Sequence, residues 1–158
     1  MDLLVSNAAR DVLHAGRQAL GGIERGGLLF VDSGDARGLI LSLVTPSHPD
    51  DKADSYALLL SDTRCRLEIE AANERGLRLI GFWHSHPETV PHLSGKDIAS
   101  FKSFGRRNHV DMPWPVAVIV GRSNSVDGVK AWSIRPSGIY AAQLVAPLYT
   151  YVEESPEN

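Results

Sequence analysis

An apolar run that leads into two histidines constrains this chain more than any other feature. Residues 77–83 are mostly apolar and are followed at once by His84, Ser85, His86 and Pro87. Side chains alternate between the two faces of a strand, so a strand that continues to His86 places both imidazoles on one side and Ser85 on the other. Pro87 has no N–H group for a sheet ladder and is expected to end the strand. The sequence therefore predicts a strand end with two histidines on one face.

A second polar cluster, Ser94-Gly95-Lys96-Asp97, follows His86 after a short loop. It opens a segment, residues 98–104, with apolar side chains at helical intervals, so Ser94 is expected to cap a helix. Asp97 then lies in the first helical turn, where free N–H groups and the helix dipole favour a carboxylate. Two imidazoles and this carboxylate form a three-ligand set for a divalent metal, and zinc hydrolases commonly complete such a set with water.

The histidine pair alone also has a structural interpretation. Surface histidines are frequent, and a pair at a strand end is often incidental. Ser94 and Asp97, at fixed spacings after His86, make a chance arrangement much less common. The full pattern therefore favours a metal site over a structural histidine pair.

The complete pattern, His84-x-His86-Pro87-x6-Ser94-x-x-Asp97, resembles the JAMM motif of the JAB/MPN (Mov34) metalloproteases without a gap or a substitution. That family also carries a glutamate just before a glycine-rich strand, and Glu24, which precedes residues 25–30, is similar. The resemblance extends from residue 24 to residue 121, which is most of the chain. It identifies the chain as similar to a family of zinc-dependent proteases.

The resemblance implies a role for each polar residue of the motif. His84, His86 and Asp97 would hold one catalytic Zn²⁺ ion. Glu24 would take a proton from the attacking water and pass it to the leaving amine. Ser94 would donate a hydrogen bond to the developing oxyanion, and this role is compatible with capping the helix because a hydroxyl both accepts and donates.

Four other glutamates are alternatives to Glu24 as the base. Glu88, in the loop after the histidines, is the second choice. The remaining three belong to a predicted helix and are interpreted as one solvated surface: Glu68, Glu70 and Glu74.

The resemblance also implies a substrate. JAMM enzymes hydrolyse peptide or isopeptide bonds after the C-terminal tail of ubiquitin or a ubiquitin-like protein. This chain has no Cys/His cluster for a second zinc and little room for long insertions after Asp97. It resembles the compact stand-alone bacterial JAB proteins, including deconjugating proteases encoded beside E1-like and E2-like enzymes in antiphage operons. The implied partners are therefore a ubiquitin-like protein or its conjugate, with the E1-like and E2-like enzymes of the same operon.

Two alternatives to this function stay open. The first is a JAB hydrolase that acts on a sulfur-carrier protein or on a small C-terminal adduct, with the same metal site and a different groove for the tail. The second is a catalytically silent MPN scaffold that binds a partner, and the intact motif argues against it.

Length and composition limit the other function classes. The 158 residues suit a single domain, which we assign to residues 1–152 with a flexible tail at 153–158. The net charge is −3 with mixed signs, so no basic surface indicates nucleic acid. Neither a signal peptide nor a membrane-spanning stretch is evident, and the protein is expected to be cytoplasmic.

The order of apolar patterns predicts a mixed α/β (α+β) domain with a curved, mostly antiparallel sheet and a helix on either side. The resemblance implies the cytidine-deaminase-like MPN fold, a half-open barrel flanked by helices. Besides the motif strand and helix, we expect helices over residues 6–21 and 61–76, and strands over residues 23–31, 39–44, 56–60, 115–120 and 129–134. The apolar segment 140–151 suits a strand or a short helix equally.

Several further residues have simpler interpretations. Cys65, the only cysteine, is expected to be packed and inert because no neighbouring histidine would activate it. Trp83 is expected in the core, and Ser85 is expected to support the site through a hydrogen bond. His92 lies within the motif loop and is the most notable of the remaining histidines.

Two regions beside the predicted site are left with open roles. Trp114, between two prolines, is either a core residue or a residue at the rim of a substrate channel. The polar loop of residues 45–51, with the short strand that follows it, is a candidate for substrate contact.

Overall fold

A computed structural model describes residues 2–35, 39–108 and 115–145. These ranges contain nine strands and three α-helices, with a short 3-10 helix at Val126–Gly128. In chain order the elements are β1 (Asp2–Val5), α1 (Asn7–Ala15), β2 (Gly26–Asp32), β3 (Ile40–Val44), β4 (Lys52–Ala53), β5 (Leu58–Leu59), α2 (Asp62–Glu74), β6 (Leu77–Ser85), α3 (Gly95–Arg107), β7 (Val116–Val120), β8 (Val129–Arg135) and β9 (Gly138–Val145).

Seven strands form one curved sheet in the order β1-β3-β2-β6-β7-β8-β9. Most neighbours are antiparallel, while β6 and β7 are parallel and β1 is parallel to both β3 and β9. The predicted fold class is confirmed: a mixed, mostly antiparallel sheet flanked by helices. Strand β1, which the sequence analysis does not predict, joins the two ends of the sheet into a closed barrel.

The helices cover opposite faces of this sheet. On one face, Ala9 and Leu13 of α1 belong to the same buried cluster as Trp83. On the other face, Ala72 of α2 and Phe101 of α3 pack in a second cluster. The expected core position of Trp83 is confirmed, since its side chain is fully buried and its Nε1 donates to the carbonyl oxygen of Thr45 at 2.9 Å.

A bulge in β6 decides which of its side chains face the helices α2 and α3. Leu29 of β2 pairs with Gly81 and the next residue pairs with Leu79, so Ile80 is the extra residue. After the bulge, Phe82 packs on the α2 and α3 face while Trp83 packs on the α1 face. A Cβ on Gly81 would lie 1.8 Å from the carbonyl oxygen of Val116, so only glycine fits where β7 approaches the bulge.

Two predicted boundaries are wrong in the segment between α1 and β2. Helix α1 is capped by Ser6 as expected but ends at Ala15 instead of continuing to residue 21, and Leu20 is 82% exposed. Strand β2 begins at Gly26, three residues later than expected, because Ile23 is also exposed. Neither apolar side chain has a surface to pack against, so this segment forms a loop.

The remaining elements follow the prediction closely. Helix α2 has Ser61 as its N-cap, and Gly76 after it adopts a positive φ of 76° that ends the helix. Strand β5 is shorter than expected and pairs with β4 as a separate hairpin. For the C-terminal segment, the strand alternative is correct over Gly138–Val145. Trp114 and residues 146–158, which include the predicted tail, lie outside the described residues.

None of the helices in the described ranges has the length and apolar character needed to cross a membrane.

Candidate metal centre

The two motif histidines lie at the end of β6 and face the same cavity. Strand β6 ends at Ser85. Its hydrogen bonding to β7 extends one residue further, because the N–H of His86 donates to the carbonyl oxygen of Val120 at 2.8 Å. The ring centroids of His84 and His86 are 4.9 Å apart. Both side chains line a cavity of about 670 Å³, so the predicted placement of the two imidazoles on one side is confirmed.

Asp97 reaches the histidines from the first turn of α3. Its Oδ1 lies 3.2 Å from Nε2 of His84, and its Oδ2 lies 3.4 Å from Nε2 of His86. The side chain is 8% exposed. Burial by itself would raise the pKa of Asp97, but hydrogen bonds from both histidines and from Ser94 outweigh burial and lower it far below its usual value. The carboxylate is therefore charged at neutral pH.

Two separations in this group are close to those between the ligands of a metal ion. With zinc–nitrogen and zinc–oxygen bonds of about 2.0–2.1 Å, two ligand atoms of a tetrahedral centre lie about 3.3 Å apart. Oδ1 of Asp97 lies 3.2 Å from His84, and the other oxygen, Oδ2, lies 3.4 Å from His86. In residue type and proximity, Asp97 and the two histidines therefore suit a shared metal ion.

Glu24 lies on the opposite side of His84 from Asp97. Its Oε2 is 3.9 Å from Nδ1 of His84, and the residue is 6% exposed. Glu24, His84 and His86 each have a ligand atom within 4.8 Å of the others, so this group is also compatible with a metal ion. Burial raises the pKa of Glu24, and the nearby histidines offset part of that rise. A carboxylate whose pKa is raised is a stronger proton acceptor than an exposed carboxylate, as a general base requires.

Polar contacts that sequence reasoning did not identify hold Glu24 in place. The backbone N–H of Glu24 donates to Asp54 at 2.7 Å, which ties it to the β4–β5 hairpin. The next residue, Arg25, donates its N–H to Oγ of Ser85 at 2.8 Å, so the expected supporting role of Ser85 is confirmed. The Ser85 hydroxyl in turn donates to Oε1 of Gln18, which is 3% exposed.

Arg64 is a second buried residue that the sequence analysis overlooks. It is 2% exposed and donates to the carbonyl oxygen of Gly26, opposite His84 in the sheet, at 2.7 Å. Its guanidinium also pairs with Asp51 at 2.7 Å and with Glu68 at 2.9 Å. The interpretation of Glu68 as part of a solvated surface is therefore wrong, because Arg64 is buried beneath it and requires a counter-ion.

Glu88, the alternative base, contacts His86 from the other edge of the ring. Its Oε1 lies 2.9 Å from Nδ1 of His86, whereas the Nε2 of that ring faces Asp97. The other oxygen of Glu88 lies 2.9 Å from Nδ1 of His92. Partial burial by itself would raise the pKa of Glu88, but the hydrogen bonds with His92 and His86 outweigh burial and lower this pKa. Both glutamates line the cavity, and Glu88 is the one that two imidazoles hold.

Ser94 caps α3 and contacts Asp97 twice. Its Oγ accepts from the N–H of Asp97 at 3.1 Å and donates to Oδ2 of Asp97 at 2.8 Å. The backbone N–H of Ser94 donates to the same Oδ2 at 2.9 Å, which completes a capping box. The capping role is confirmed, and the oxyanion role stays a prediction.

The cavity extends from the metal centre between β5 and the two helices α2 and α3. Its apolar wall comprises Leu58, Leu60, Ile69, Phe82 and Phe104. Cys65 also lines it, and burial raises the pKa of this thiol to about 11, as expected of an inert cysteine.

The loop of residues 45–51 does not line this cavity, so the substrate contact expected of it is not supported. Asp51 of that loop instead anchors Arg64, and the Thr45 hydroxyl accepts from the N–H of Leu28 at 2.8 Å. The strand that follows, Leu58–Leu59, does lie at the cavity.

Comparison with known proteins gives matches over most of the chain. A family model described as prokaryotic homologs of the JAB domain matches residues 6–135. Among solved structures, protein DSY2949 from Desulfitobacterium hafniense has a TM-score of 0.63 at 21% identity, over 91% of this chain and 93% of that one. A JAB1/MPN domain protein, AF2198 from Archaeoglobus fulgidus, has a TM-score of 0.52 at 16% identity, over 91% and 98% of the two chains. At these identities the structural likeness concerns the fold. A search of curated protein sequences gave no significant match.

Proposed function

We propose a function that proceeds from one fact: the chain belongs to the family of prokaryotic homologs of the JAB domain. In this proposal it is a zinc-dependent peptidase or isopeptidase that cleaves after the C-terminal tail of a ubiquitin-like protein. The observation that carries the proposal is the contact of Asp97 with Nε2 of both His84 and His86, beside the buried carboxylate of Glu24. The ligands and the base required for hydrolysis are thus all at one end of one cavity.

Each residue of the centre has a task in this proposal. His84, His86 and Asp97 would hold the zinc ion, which would supply a Lewis acid for the scissile carbonyl and lower the pKa of a water molecule. Glu24 accepts the proton of the attacking water and then donates it to the nitrogen of the leaving amine. The raised pKa of Glu24, which burial causes, suits both steps because the group must be deprotonated first and protonated afterwards.

The shape of the cavity supports an extended polypeptide as the substrate. Among the described residues, β5 pairs only with β4, so its other edge is available to an added strand. Leu58 of β5 and Leu60 just after it line the cavity together with Ile69 and Phe104, and they provide apolar surface for alternate side chains of such a strand. A flexible C-terminal tail can adopt this extended form, whereas the interior of a folded domain cannot.

We place this activity in a bacterial ubiquitin-like conjugation pathway linked to antiphage defence, in the cytoplasm, with E1-like and E2-like enzymes as partners. This part of the proposal comes from the resemblance to deconjugating JAB proteases of such operons and is an argument by analogy. Genes for E1-like and E2-like enzymes beside the gene for this chain would support it. Neighbouring genes for thiocarboxylate formation would favour the alternative substrate, a sulfur-carrier protein.

The test is hydrolysis of ubiquitin-like fusion proteins, followed by intact-mass analysis. We expect cleavage directly after the ubiquitin-like tail in the presence of zinc and none after a chelator has removed the metal. Glu24→Gln should retain zinc and lose at least about a hundredfold in turnover, the usual contribution of a general base. His84→Ala and Asp97→Ala should lose zinc and turnover together.

Glu74→Gln is the matched control because it makes the same chemical change at the exposed end of α2, outside the cavity. It should cleave at the wild-type rate. Cleavage that persists after the zinc has been removed would overturn the metalloprotease proposal. Unimpaired turnover of Glu24→Gln would remove Glu24 as the base.

A further inference from the structure

Glu88 links His86 to a second histidine on the solvent side. Its Oε1 lies 2.9 Å from Nδ1 of His86, and its Oε2 lies 2.9 Å from Nδ1 of His92. The other ring nitrogen of His86, Nε2, lies 3.4 Å from Asp97. Carboxylates therefore fix both edges of this imidazole, and only the Nε2 edge faces the metal centre.

The contact with Glu88 gives the hydrogen on Nδ1 of His86 a closer acceptor than Asp97 gives the hydrogen on Nε2, at 2.9 Å against 3.4 Å. An ionised carboxylate accepts hydrogen bonds and cannot donate, so Glu88 favours the neutral tautomer with hydrogen on Nδ1, while Asp97 competes for it at Nε2. A neutral imidazole binds metal through its unprotonated nitrogen, so a metal ion at Nε2 requires the tautomer that Glu88 favours. Among the described residues, the carboxylate nearest to Nδ1 of His84 is that of Glu24, which at 3.9 Å is beyond hydrogen-bond distance.

The backbone around Glu88 is anchored independently of its side chain. The carbonyl oxygen of Glu88 accepts from the N–H of Arg122 at 2.8 Å, and that of Thr89 accepts from Ser123 at 3.0 Å. The segment after the motif strand is therefore tied to the turn that follows β7. Because these bonds use backbone atoms, replacement of the Glu88 side chain should leave the path of the chain intact.

We propose that Glu88 is a positioning residue that holds His86 in the tautomer and ring orientation needed for metal binding, with His92 steadying Glu88 from outside. This inference about Glu88 takes the identity of the metal, zinc, from the proposed function. Carboxylates that accept from a metal-binding histidine typically account for about 10–100-fold in metal affinity. The Glu88 side chain is 43% exposed, so water can replace part of its contact and the effect should be near the lower end of that range.

The first test measures zinc affinity of the full chain by competition with a chromophoric chelator. Glu88→Ala should bind zinc about tenfold more weakly than the wild type. Glu88→Gln should lose less, because its amide oxygen still accepts from Nδ1–H of His86. His92→Ala should also lose less than Glu88→Ala, since it removes only the outer contact. Glu74→Ala, which removes an exposed carboxylate far from the centre, should bind like the wild type.

The second test reads the tautomer of His86 directly in the metal-free protein, by long-range proton–nitrogen NMR correlations of the imidazole at a pH where the ring is neutral. The share of His86 with hydrogen on Nδ1 should be higher in the wild type than in Glu88→Ala, in which Asp97 still accepts the hydrogen at Nε2. This readout requires no zinc and no activity, and a residue that only stabilised the loop would not change it.

The two tests separate this inference from the proposed function. A wild type that binds no zinc would overturn the proposed function, while the NMR measurement would still decide the role of Glu88. If Glu88→Ala changes neither the zinc affinity nor the tautomer of His86, the inference about Glu88 is overturned and the proposed function still stands. If Glu88→Ala fails to fold, Glu88→Gln and His92→Ala decide by the same two measurements.

Discussion

The hydroxyl of Ser94 has two candidate roles with very different energetic consequences. As an N-cap it accepts from the N–H of Asp97 and also donates to the Asp97 carboxylate. An N-cap hydroxyl contributes about 1 kcal/mol to stability, while an oxyanion donor contributes about a hundred- to a thousandfold in rate. To act on an oxyanion, the single hydroxyl proton must turn away from Asp97 toward the cavity.

We predict that Ser94→Ala lowers the free energy of unfolding by about 1 kcal/mol and turnover by about 10²–10³-fold. Urea denaturation and single-turnover hydrolysis would measure the two effects separately. Ser61→Ala is the matched control, because Ser61 caps α2 in the same way, by accepting from the N–H of Arg64 at 3.3 Å. It should lose similar stability with little loss of rate. Equal rate losses in both variants would assign Ser94 to capping alone.

Residue types and spacings were sufficient to predict which polar side chains come together, but not the residues that hold them in place. His84, His86 and Asp97 are close in sequence, and a strand and a helix N-terminus bring them together. Gln18 contacts Ser85 from 67 residues away. A lone glutamine in a loop has no periodicity or spacing that distinguishes it, so only the folded chain shows its role.

At the scale of elements, the bulge in β6 connects the sheet to the site. If β6 alternated regularly from Leu79 with no bulge at Ile80, Phe82 and His84 would turn to the face that α1 covers. The absence of a side chain on Gly81 allows β7 to approach the strand at this point. The position of the metal centre therefore depends on a glycine that contributes no ligand.

We predict that Gly81→Ala destabilises the protein by about 1–3 kcal/mol or more, the cost of overpacking a rigid interior. The added Cβ would lie 1.8 Å from a backbone oxygen of Val116, so one of the strands must move. Gly95→Ala is the control, because a Cβ at that position, the first residue of α3, meets no atom within 4 Å. Thermal unfolding of both variants measures the difference. A Gly81→Ala protein as stable as Gly95→Ala would show that β6 and β7 adjust freely.

The elements that the sequence analysis misplaced share a physical cause. The apolar side chain of Leu20 continues the helical pattern of α1, yet it is 82% exposed, because the chain turns away before that position. Strand β1 is only four residues long. It is identified as a strand by its pairing with β3 and β9, which are distant in sequence. Local patterns do not contain this information.

For the whole molecule, the ion pair of Asp51 and Arg64 joins parts of the chain that surround the site. The Arg64 side chain is 2% exposed and that of Asp51 is 5% exposed. Arg64 also donates to the carbonyl of Gly26, so the pair connects α2, the loop of residues 45–51 and the start of β2. Loss of one partner would leave a buried charge, at a cost of about 3–5 kcal/mol.

The pH dependence of this cost follows from the pKa of Asp51. Burial would raise that pKa, but hydrogen bonds from Arg64 and from the N–H of Ser61 outweigh burial and lower it below its usual value of 3.8. The folded state then binds fewer protons than the unfolded state. The stabilisation is therefore fully present above pH 3.8 and is lost as the pH falls through the lower pKa of the folded protein.

We predict that Asp51→Asn is less stable than the wild type by about 3 kcal/mol at pH 7, near the low end for a broken buried pair because Glu68 still contacts Arg64. This gap should narrow as the pH falls below 3.8, because the unfolded wild type binds the proton there and the folded wild type binds it only at its lower pKa. Urea denaturation of both proteins from pH 7 to pH 3 measures the gap.

Asp50→Asn is the control, because the neighbouring Asp50 side chain is 68% exposed. The stability of this variant should follow that of the wild type throughout. A gap that stays constant down to pH 3, or an Asp50→Asn protein that loses as much stability at pH 7, would contradict the assignment of this stabilisation to the buried charge of Asp51.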